Sequence, residues 1–243
     1  MVPGFSPSAN ARVTGLTVDG SDLYVSGGFS SIDGQARQKL ARIDRVTGAL
    51  DSGWRPSVSG GRVRTTALSP TPGQLVIGGA FSRVEGESRK FLASVSLVDG
   101  EVSPWAPRAV CTTCAMFDLV SDGTDVYAAI GGKGGGRAAS FSPSQNAPRW
   151  VVHGDGNVQA IAVRQDTVFA GGHFGPDFAG VNRDQLAALD ADDGSVLPYR
   201  VPFTGRNYPG VWDISADVDA LRIGGGFTGI QGSTASRYAE LGY

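Results

Sequence analysis

The stretch from Gln74 to Gly86, QLVIGGAFSRVEG, decides the fold because it recurs along the chain. Related copies read LYVSGGFSSIDG from Leu23, VFAGGHFGPDFAG from Val168 and LRIGGGFTGIQG from Leu221. Each copy is a short β-rich run that ends in glycines and a phenylalanine, and a turn follows. The phenylalanines at 29 and 81 are 52 residues apart, those at 174 and 227 are 53 apart, and the interval between these pairs leaves room for one degenerate copy. A repeat of about 50 residues in an all-β pattern is typical of propellers and β arrays.

Four kinds of predicted strand recur around this stretch. A first strand opens each copy, as in VTGLTV from Val13, and the organising stretch is the second. Turns such as Asp33-Gly34 and Glu85-Gly86 favour a hairpin before the third strand, as in FLASVS from Phe91. The fourth is predicted to carry an aromatic residue, often with a proline two or three positions on: Trp54, Trp105, Trp150 and Tyr199.

The two ends of the chain complement each other in this pattern. The fifth copy stops at Tyr243 after its third strand, and Phe5-Ser6-Pro7 has the missing aromatic-x-Pro form 49 residues before Trp54. A ring needs such a permutation because the N-terminal strand then covers the last exposed edge. We therefore predict one all-β domain, a five-bladed β-propeller closed by an N-terminal strand that completes the last blade at Tyr238 to Gly242. The blades span about 11–58, 63–109, 115–153, 157–203 and 210–243 plus 2–9.

Composition restricts the function classes. The net charge of −2, the pI near 5.7 and the scattered basic residues argue against a nucleic-acid partner. No apolar run reaches the roughly 20 residues that span a bilayer. The opening residues MVPGFSPSAN lack the features of a signal peptide. No cofactor motif is present, and we predict no cofactor.

The repeats resemble a known family. LYVSGGFSSIDG, then RQKLARID, then an aromatic-x-Pro run, is similar to the delta-60 type β-propeller repeats of large bacterial secreted or surface proteins. The third copy, VYAAIGGKGGGRAASF from Val126, departs from the pattern because it lacks the phenylalanine. The resemblance implies an extracellular or cell-surface location, membership of a larger multidomain protein, and a binding or display role. It carries no catalytic residue over to this chain.

Cys111 and Cys114 are the only cysteines and enter the third copy. A zinc ribbon needs a second cysteine pair, and a thioredoxin-like motif needs a helix in a βαβ setting. We expect a small disulfide that pins the loop, with two free thiols as the alternative.

His153 and His173 are the only histidines. On a propeller, the loops between fourth and first strands share one face with the loops between second and third strands. We place both histidines and the cysteines on that face. His173 replaces a Gly or Ala of the other copies, which makes it a candidate for ligand contact. A mixed Cys and His metal site is the less favoured alternative, and we predict no metal.

Asp118 and Asp213 are expected at equivalent places in first strands, where other copies have Gly15, Ala67 and Ala160. Such a pair at a channel mouth can serve as acid and base or nucleophile in a glycosidase. The alternative is that each carboxylate accepts hydrogen bonds from backbone N–H groups. Trp212 beside Asp213 would be an aromatic platform or channel packing.

Two turns contain clustered acidic residues, Asp190 to Gly194 and Asp155 to Asn157. Neither has the spacing of a calcium loop, so turn chemistry is the favoured interpretation.

Three functions follow as hypotheses. The first is a non-enzymatic extracellular propeller that binds a glycan or protein through His153, His173, Trp212 and Asp213. The second is a carbohydrate-active hydrolase that uses Asp118 and Asp213. The third is a structural spacer in a surface protein.

Overall fold

A computed structural model describes residues 5–133, 135–205 and 210–242, and its described residues are all-β, without a helix. None of these residues therefore forms a helix that could cross a membrane. The chain divides into two units, one of Met1–Ala109 with Pro143–Asn146 and the other of Val110–Ser142 with Ala147–Tyr243. We call the five predicted blades repeats 1 to 5, so unit 1 holds repeats 1 and 2 and unit 2 holds repeats 3 to 5.

Unit 1 contains eleven strands: β1 (Val13–Asp19), β2 (Asp22–Gly27), β3 (Ser31–Ile32), β4 (Gln35–Ala36), β5 (Leu40–Asp44), β6 (Val58–Ser59), β7 (Val63–Leu68), β8 (Gln74–Gly79), β9 (Arg83–Val84), β10 (Glu87–Ser88) and β11 (Leu92–Ser96). Each repeat builds an antiparallel sheet from its first, second and third strands, in the orders β1-β2-β5 and β7-β8-β11. The two sheets pack against each other through β1 and β7.

Unit 2 contains the other fifteen strands: β12 (Cys114–Ser121), β13 (Val126–Gly132), β14 (Gly136–Phe141), β15 (Pro148–Gly154), β16 (Val158–Arg164), β17 (Thr167–Gly172), β18 (Asp177–Phe178), β19 (Val181–Asn182), β20 (Leu186–Asp190), β21 (Phe203–Thr204), β22 (Val211–Ala216), β23 (Ala220–Gly225), β24 (Gly229–Ile230), β25 (Ser233–Thr234) and β26 (Tyr238–Gly242). Their main sheets follow the same chain order, β12-β13-β14-β15, β16-β17-β20 and β22-β23-β26. Strand β16 packs between β12 and β22.

The predicted turns after the second strands are confirmed. Short hairpins form at β3–β4, β9–β10 and β24–β25, around Asp33-Gly34, Glu85-Gly86 and Gln231-Gly232. Both residues of each turn have positive φ, as the tightest hairpin loops require. The segment that precedes a repeat docks on that repeat's hairpin, as β6 pairs with β9 and β21 with β24.

The fourth strand was placed slightly wrongly by the sequence. The residues that pair with the third strands are Leu50, Val102 and Val196, each through an isolated bridge. The aromatic residue follows three or four positions later, and only Trp150 lies within a strand, β15. The aromatic side chains instead join neighbouring segments: Trp54 Nε1 donates to Ser96 O at 2.9 Å and Trp150 Nε1 to Ala191 O at 2.9 Å.

Phe5-Ser6-Pro7 behaves as the other aromatic-x-Pro runs do. A β-carbon at Gly48 would lie 3.0 Å from Pro7 Cδ, and one at Gly100 would lie 3.0 Å from Pro56 Cδ. Phe5 packs against the core of repeat 1, and Ala9 bridges to Ile32 in its hairpin. The run therefore bears the same relation to repeat 1 as Trp54-Arg55-Pro56 bears to repeat 2.

The repeated phenylalanines and glycines are core positions, as predicted. Phe29, Phe81, Phe174 and Phe227 are all buried. The second glycine of the pair stands against a backbone carbonyl, so a β-carbon at Gly79 would overlap Arg62 O. Close approach, not positive φ, is therefore why glycine is needed there.

Three arginines repeat in a way that the sequence analysis overlooked. Arg89 Nη2 donates to Ser103 O at 3.1 Å, and Arg183 Nη2 donates to Leu197 O at 2.7 Å. Arg37 makes the same bond to Asp51 O in repeat 1. Each arginine links the hairpin of its repeat to the segment just after the fourth-strand bridge, so these basic residues are structural.

Candidate functional site

Trp212, His173 and Gln159 converge on Gly210 in unit 2, and we call these four residues the Trp212 cluster. A β-carbon at Gly210 would lie 3.0 Å from Trp212 Nε1, 3.3 Å from Gln159 Oε1 and 3.3 Å from His173 Cβ. The absence of a side chain at Gly210 therefore lets three different side chains approach its backbone closely. Trp212 keeps 47% of its surface exposed, which is unusual for the largest apolar side chain.

Two β-bulges, one in β16 and one in β22, orient two members of this cluster, and the other three first strands contain the same bulge. The register of the first strands shifts between Val211 and Asp213 and again between Val158 and Ala160, so Trp212 and Gln159 are the extra residues. Bulges commonly redirect a side chain beside a functional site. Gln159 Oε1 is buried and accepts no hydrogen bond from a described residue. Such an acceptor has lost its water without gaining a donor, so a ligand hydroxyl or amide would satisfy it.

The sequence analysis missed Gln159. The signal was available, because Gln159 follows Val158 in its first strand as Trp212 follows Val211 in the next repeat. Without the pairing register, however, neither residue could be assigned to a bulge.

The other predicted ligand residues are less closely associated. His153 lies in β15 opposite Arg137, and its side chain is exposed. No contact described for this part of the chain joins His153 to the Trp212 cluster. The side chain of Asp213 is exposed, and the residue borders a separate cavity of about 290 Å³ with Asp118. The structure thus brings together His173 and Trp212 of the four predicted residues.

Cys111 and Cys114 form a disulfide, with their Cα atoms 6.0 Å apart. Cys114 is the first residue of β12, so the bond pins the loop that enters repeat 3, as the sequence predicted.

Asp118 and Asp213 occupy equivalent places in their first strands, as expected. Each is the first residue after the bulge of its strand, β12 or β22. Both border the same cavity. The equivalent residue of repeat 2 is Thr65, which also follows the bulge of its strand, so the expected Ala67 was wrong.

Asp118 has a structural partner that explains its carboxylate. Its Oδ2 accepts from Ile161 N at 3.0 Å, and its Oδ1 accepts from Leu119 N at 2.9 Å. In repeat 1, Thr17 Oγ1 donates to Thr66 O at 2.7 Å. Both side chains therefore join the first strands of adjacent repeats.

Comparison with known proteins defines the fold but not the activity. No family model matches the sequence, and no curated protein matches it. A chain in the crystal structure of a nidogen/laminin complex is similar over 88% of this chain and 72% of its own length, with a TM-score of 0.55 and 10% identity. The computationally designed Ika8 protein is similar over 91% of this chain and 72% of its own, with a TM-score of 0.51 and 12% identity.

The chain shares its all-β fold with both structures. The matched nidogen/laminin chain is a β-propeller, which is consistent with the order of the sheets in each unit. At these identities the similarity concerns fold alone, and function has to be argued from the site.

The acidic turns are occupied by their own backbone. Asp155 Oδ1 accepts from Gly175 N at 2.7 Å, and Asp190 Oδ1 accepts from Asp192 N at 2.8 Å. Among the described residues, no three His, Cys, Asp or Glu side chains are grouped as a metal site would require. The Trp212 cluster, which joins the predicted Trp212 and His173 to Gln159, therefore remains as the candidate ligand site.

Proposed function

We propose that this protein is a non-enzymatic binding module that recognises a glycan through the Trp212 cluster. The observation that carries the proposal is the convergence of an exposed indole, an imidazole and an unpartnered amide oxygen on a position without a side chain. A protein ligand is the alternative within the same class.

A sugar suits this combination better than a peptide does. The apolar C–H face of a pyranose packs on an indole ring, and an indole also offers one N–H donor beside that face. A sugar hydroxyl can donate to Gln159 Oε1 from the same ring. The cluster contains no charged side chain among the described residues, so it would not select an anionic or cationic ligand by charge.

A glycan array followed by NMR titration of the retained glycan tests the proposal. We expect Trp212→Ala to weaken binding about tenfold or more, equivalent to about 1.4 kcal/mol. Gly210→Ala should have a similar effect because its methyl group would push Trp212 and Gln159 away from their present positions. Gly224→Ala is the matched control, since a β-carbon there meets only Asp213, with Cβ at 3.7 Å and O at 4.0 Å.

Equal binding by Trp212→Ala, Gly210→Ala and Gly224→Ala would contradict the assigned site. Failure of every glycan on the array to bind would favour the spacer hypothesis.

The hydrolase hypothesis is weaker. Asp118 and Asp213 do border one cavity, but two backbone N–H groups already occupy the Asp118 carboxylate. The bond from Ile161 N joins neighbouring first strands, and the two bonds together account for Asp118 without a catalytic role.

We further propose that the five repeats are the blades of one closed propeller. The support is the common order of strands in each repeat and the position of Phe5-Ser6-Pro7 on repeat 1. The residue that corresponds to Leu50 would fall three or four positions before Phe5, outside the described residues. Phe5 would then come after the bridge that closes the ring, as Trp54 comes after the bridge made by Leu50.

Ring closure makes a measurable prediction about β1. Leu16 is 62% exposed and Val98 is 79% exposed. Judged by exposure alone, both positions should accept a polar side chain. In a ring, the last blade would cover Leu16 but not the turn that holds Val98. We expect Leu16→Ser to lower the free energy of unfolding by about 1–3 kcal/mol in urea titrations, and Val98→Ser by less than about 0.5 kcal/mol. Equal small effects would contradict closure.

The disulfide is compatible with an oxidising compartment. We propose that the protein lies outside the cell or at its surface, and the resemblance of its repeats to the delta-60 type supports a place in a larger multidomain protein.

A further inference from the structure

A second cavity, in unit 1, carries an inference that is independent of the Trp212 cluster. It has a volume of about 370 Å³ and lies beside Gln74, Ser94, Ser103 and Trp105, with the 143–146 segment on its other side. This volume is within the range of small-molecule sites, about 300–1,000 Å³. Its walls are hydroxyl groups, amide groups, prolines and one indole.

The repeats provide an internal comparison for this cavity. Ser103 N donates to Ser94 O, just as Asp51 N donates to Arg42 O and Leu197 N donates to Ala188 O. These backbone bonds identify Ser103, Asp51 and Leu197 as equivalent positions in repeats 2, 1 and 4. Because the backbone is alike at the three positions, any difference in space comes from the side chains.

The side chains do differ in size. In repeat 1, Arg42 and Asp51 form an ion pair that fills the space at these equivalent positions. In repeat 4, Leu197 with Phe169 and Tyr199 leaves a cavity of only about 160 Å³. Repeat 2 has serines at positions 94 and 103, and the larger cavity results. Small polar residues thus stand where the other repeats place an ion pair or apolar bulk.

One of these serines lacks a hydrogen bond. Ser103 is only 8% exposed, and its hydroxyl has no partner among the described residues. Its backbone carbonyl already accepts from Arg89, so the hydroxyl is the group left over. Ser94, 2% exposed, donates to Gln74 Oε1 at 2.7 Å. Burying a hydroxyl without a partner costs about 1–3 kcal/mol, which a ligand hydroxyl in the cavity would offset.

We propose that this cavity binds a neutral sugar residue. None of the side chains described around it carries a charge, which disfavours phosphates, carboxylates and amines as ligands. The serines and amides can donate to and accept from several hydroxyl groups at once. Trp105 and the prolines supply apolar surface for the C–H groups of the ring, and Trp105 Nε1 is held by Gln145 O at 3.0 Å.

NMR titration of the whole chain tests this site separately from the Trp212 cluster. The chain has four tryptophans, so four indole N–H signals report on four places. The probes are glucose, galactose, mannose and N-acetylglucosamine, each with its β-1,4-linked disaccharide, and glucuronate serves as the charged control. We expect at least one neutral probe to shift the Trp105 signal, and glucuronate to leave it unchanged.

Two variants at one position separate space from hydrogen bonding. Ser103→Leu copies Leu197 of repeat 4 and should reduce binding more than tenfold by filling the cavity. Ser103→Ala keeps the space and should weaken binding about three- to tenfold. In both, unchanged Trp54, Trp150 and Trp212 signals show that the fold and the other site are intact.

Two results would overturn the proposal. One is that no neutral probe shifts the Trp105 signal at 50-fold excess, which means that the cavity holds only water. The other is that Ser103→Leu binds as the parent does. Loss of binding in Trp212→Ala with Trp105 shifts retained would instead separate the two sites.

Discussion

Repeats 1 and 2 share a backbone plan but fill one level of it in different ways. At this level repeat 1 has Arg42 in contact with Asp51, and the guanidinium carbon lies 5.9 Å from the centroid of the Trp54 ring. Repeat 2 has two serines and a cavity there. Both repeats keep the arginine that links the hairpin to the segment after the fourth-strand bridge. The same backbone arrangement therefore forms with either set of side chains at these positions. The difference shows that the repeated positions determine the fold, whereas the positions of Arg42 and Asp51 can vary and acquire a function.

Truncating the equivalent tryptophans should give the largest contrast between the repeats. Trp54 is 1% exposed and packs edge to face on Tyr24, with ring centroids 5.1 Å apart, so Trp54→Ala should cost about 3–5 kcal/mol. Trp105 borders the cavity and is 8% exposed, so Trp105→Ala should cost less, about 2 kcal/mol. Urea titration monitored by circular dichroism measures both.

The contrast has a clear opposing outcome. If the two substitutions lower the free energy of unfolding equally, Trp105 is packed as tightly as Trp54. The proposed difference between the two repeats would then be wrong. The slope of each titration should match that of the parent, which shows that the same structure unfolds.

Converting the ion pair of repeat 1 into the serines of repeat 2 is a more specific comparison. Arg42→Ser alone leaves the Asp51 carboxylate half-buried without its guanidinium, so we expect a loss of about 2 kcal/mol. Adding Asp51→Ser removes that charge. The double variant should therefore lose less than the sum of the single losses, by about 1 kcal/mol in a double-mutant cycle. Additive losses would mean that the pair is not coupled.

The same pair predicts a dependence on pH. Burial raises the pKa of Asp51, but hydrogen bonds from Arg42 and from the N–H groups of Gly53 and Trp54 outweigh it and hold the pKa below its ordinary value of 3.8. A carboxyl whose pKa is lower in the folded state stabilises the protein above that ordinary value, and this contribution is lost as the pH falls. The stability difference between the parent and the double variant should shrink below pH 4. A constant difference from pH 7 to pH 2.5 would contradict it.

The sequence predicted the structure well at positions that recur in each copy. It predicted poorly the features that depend on how one strand pairs with another. The second strands, the turn at Asp33-Gly34 and the buried Phe81 follow from local pattern, because glycine pairs and turn residues have the same role in each copy. The bulge at Trp212 could not be predicted, since one extra residue in a strand is defined only against its partner. The same cause explains why Ala67 was aligned with Asp118 and Asp213, although the pairing register gives that place to Thr65.

The candidate site was half predictable for a related reason. His173 was found because it departs from the repeated pattern, and Trp212 because it stands beside Asp213, which also departs from it. Gln159 was missed because a glutamine in a strand is unremarkable until its oxygen is seen buried without a donor. The cavity of repeat 2 was also missed, because serine at positions 94 and 103 signals nothing until Arg42 and Asp51 are known to be their equivalents.

The comparison of repeats extends to the first strands, where Thr17 in repeat 1 and Asp118 in repeat 3 each hydrogen bond to the neighbouring first strand. We expect Asp118→Ala to cost about 1–2 kcal/mol, because Ile161 N loses its acceptor, and Thr17→Val to cost about 1 kcal/mol. Asp118→Asn keeps one acceptor oxygen for Ile161 N but loses the acceptor of Leu119 N, so it should cost less than Asp118→Ala, about 0.5–1 kcal/mol. Thermal unfolding of the three variants measures these effects. A loss in Asp118→Asn at least as large as that in Asp118→Ala would show that the negative charge itself is needed, and Asp118 would return as a functional candidate beside Asp213.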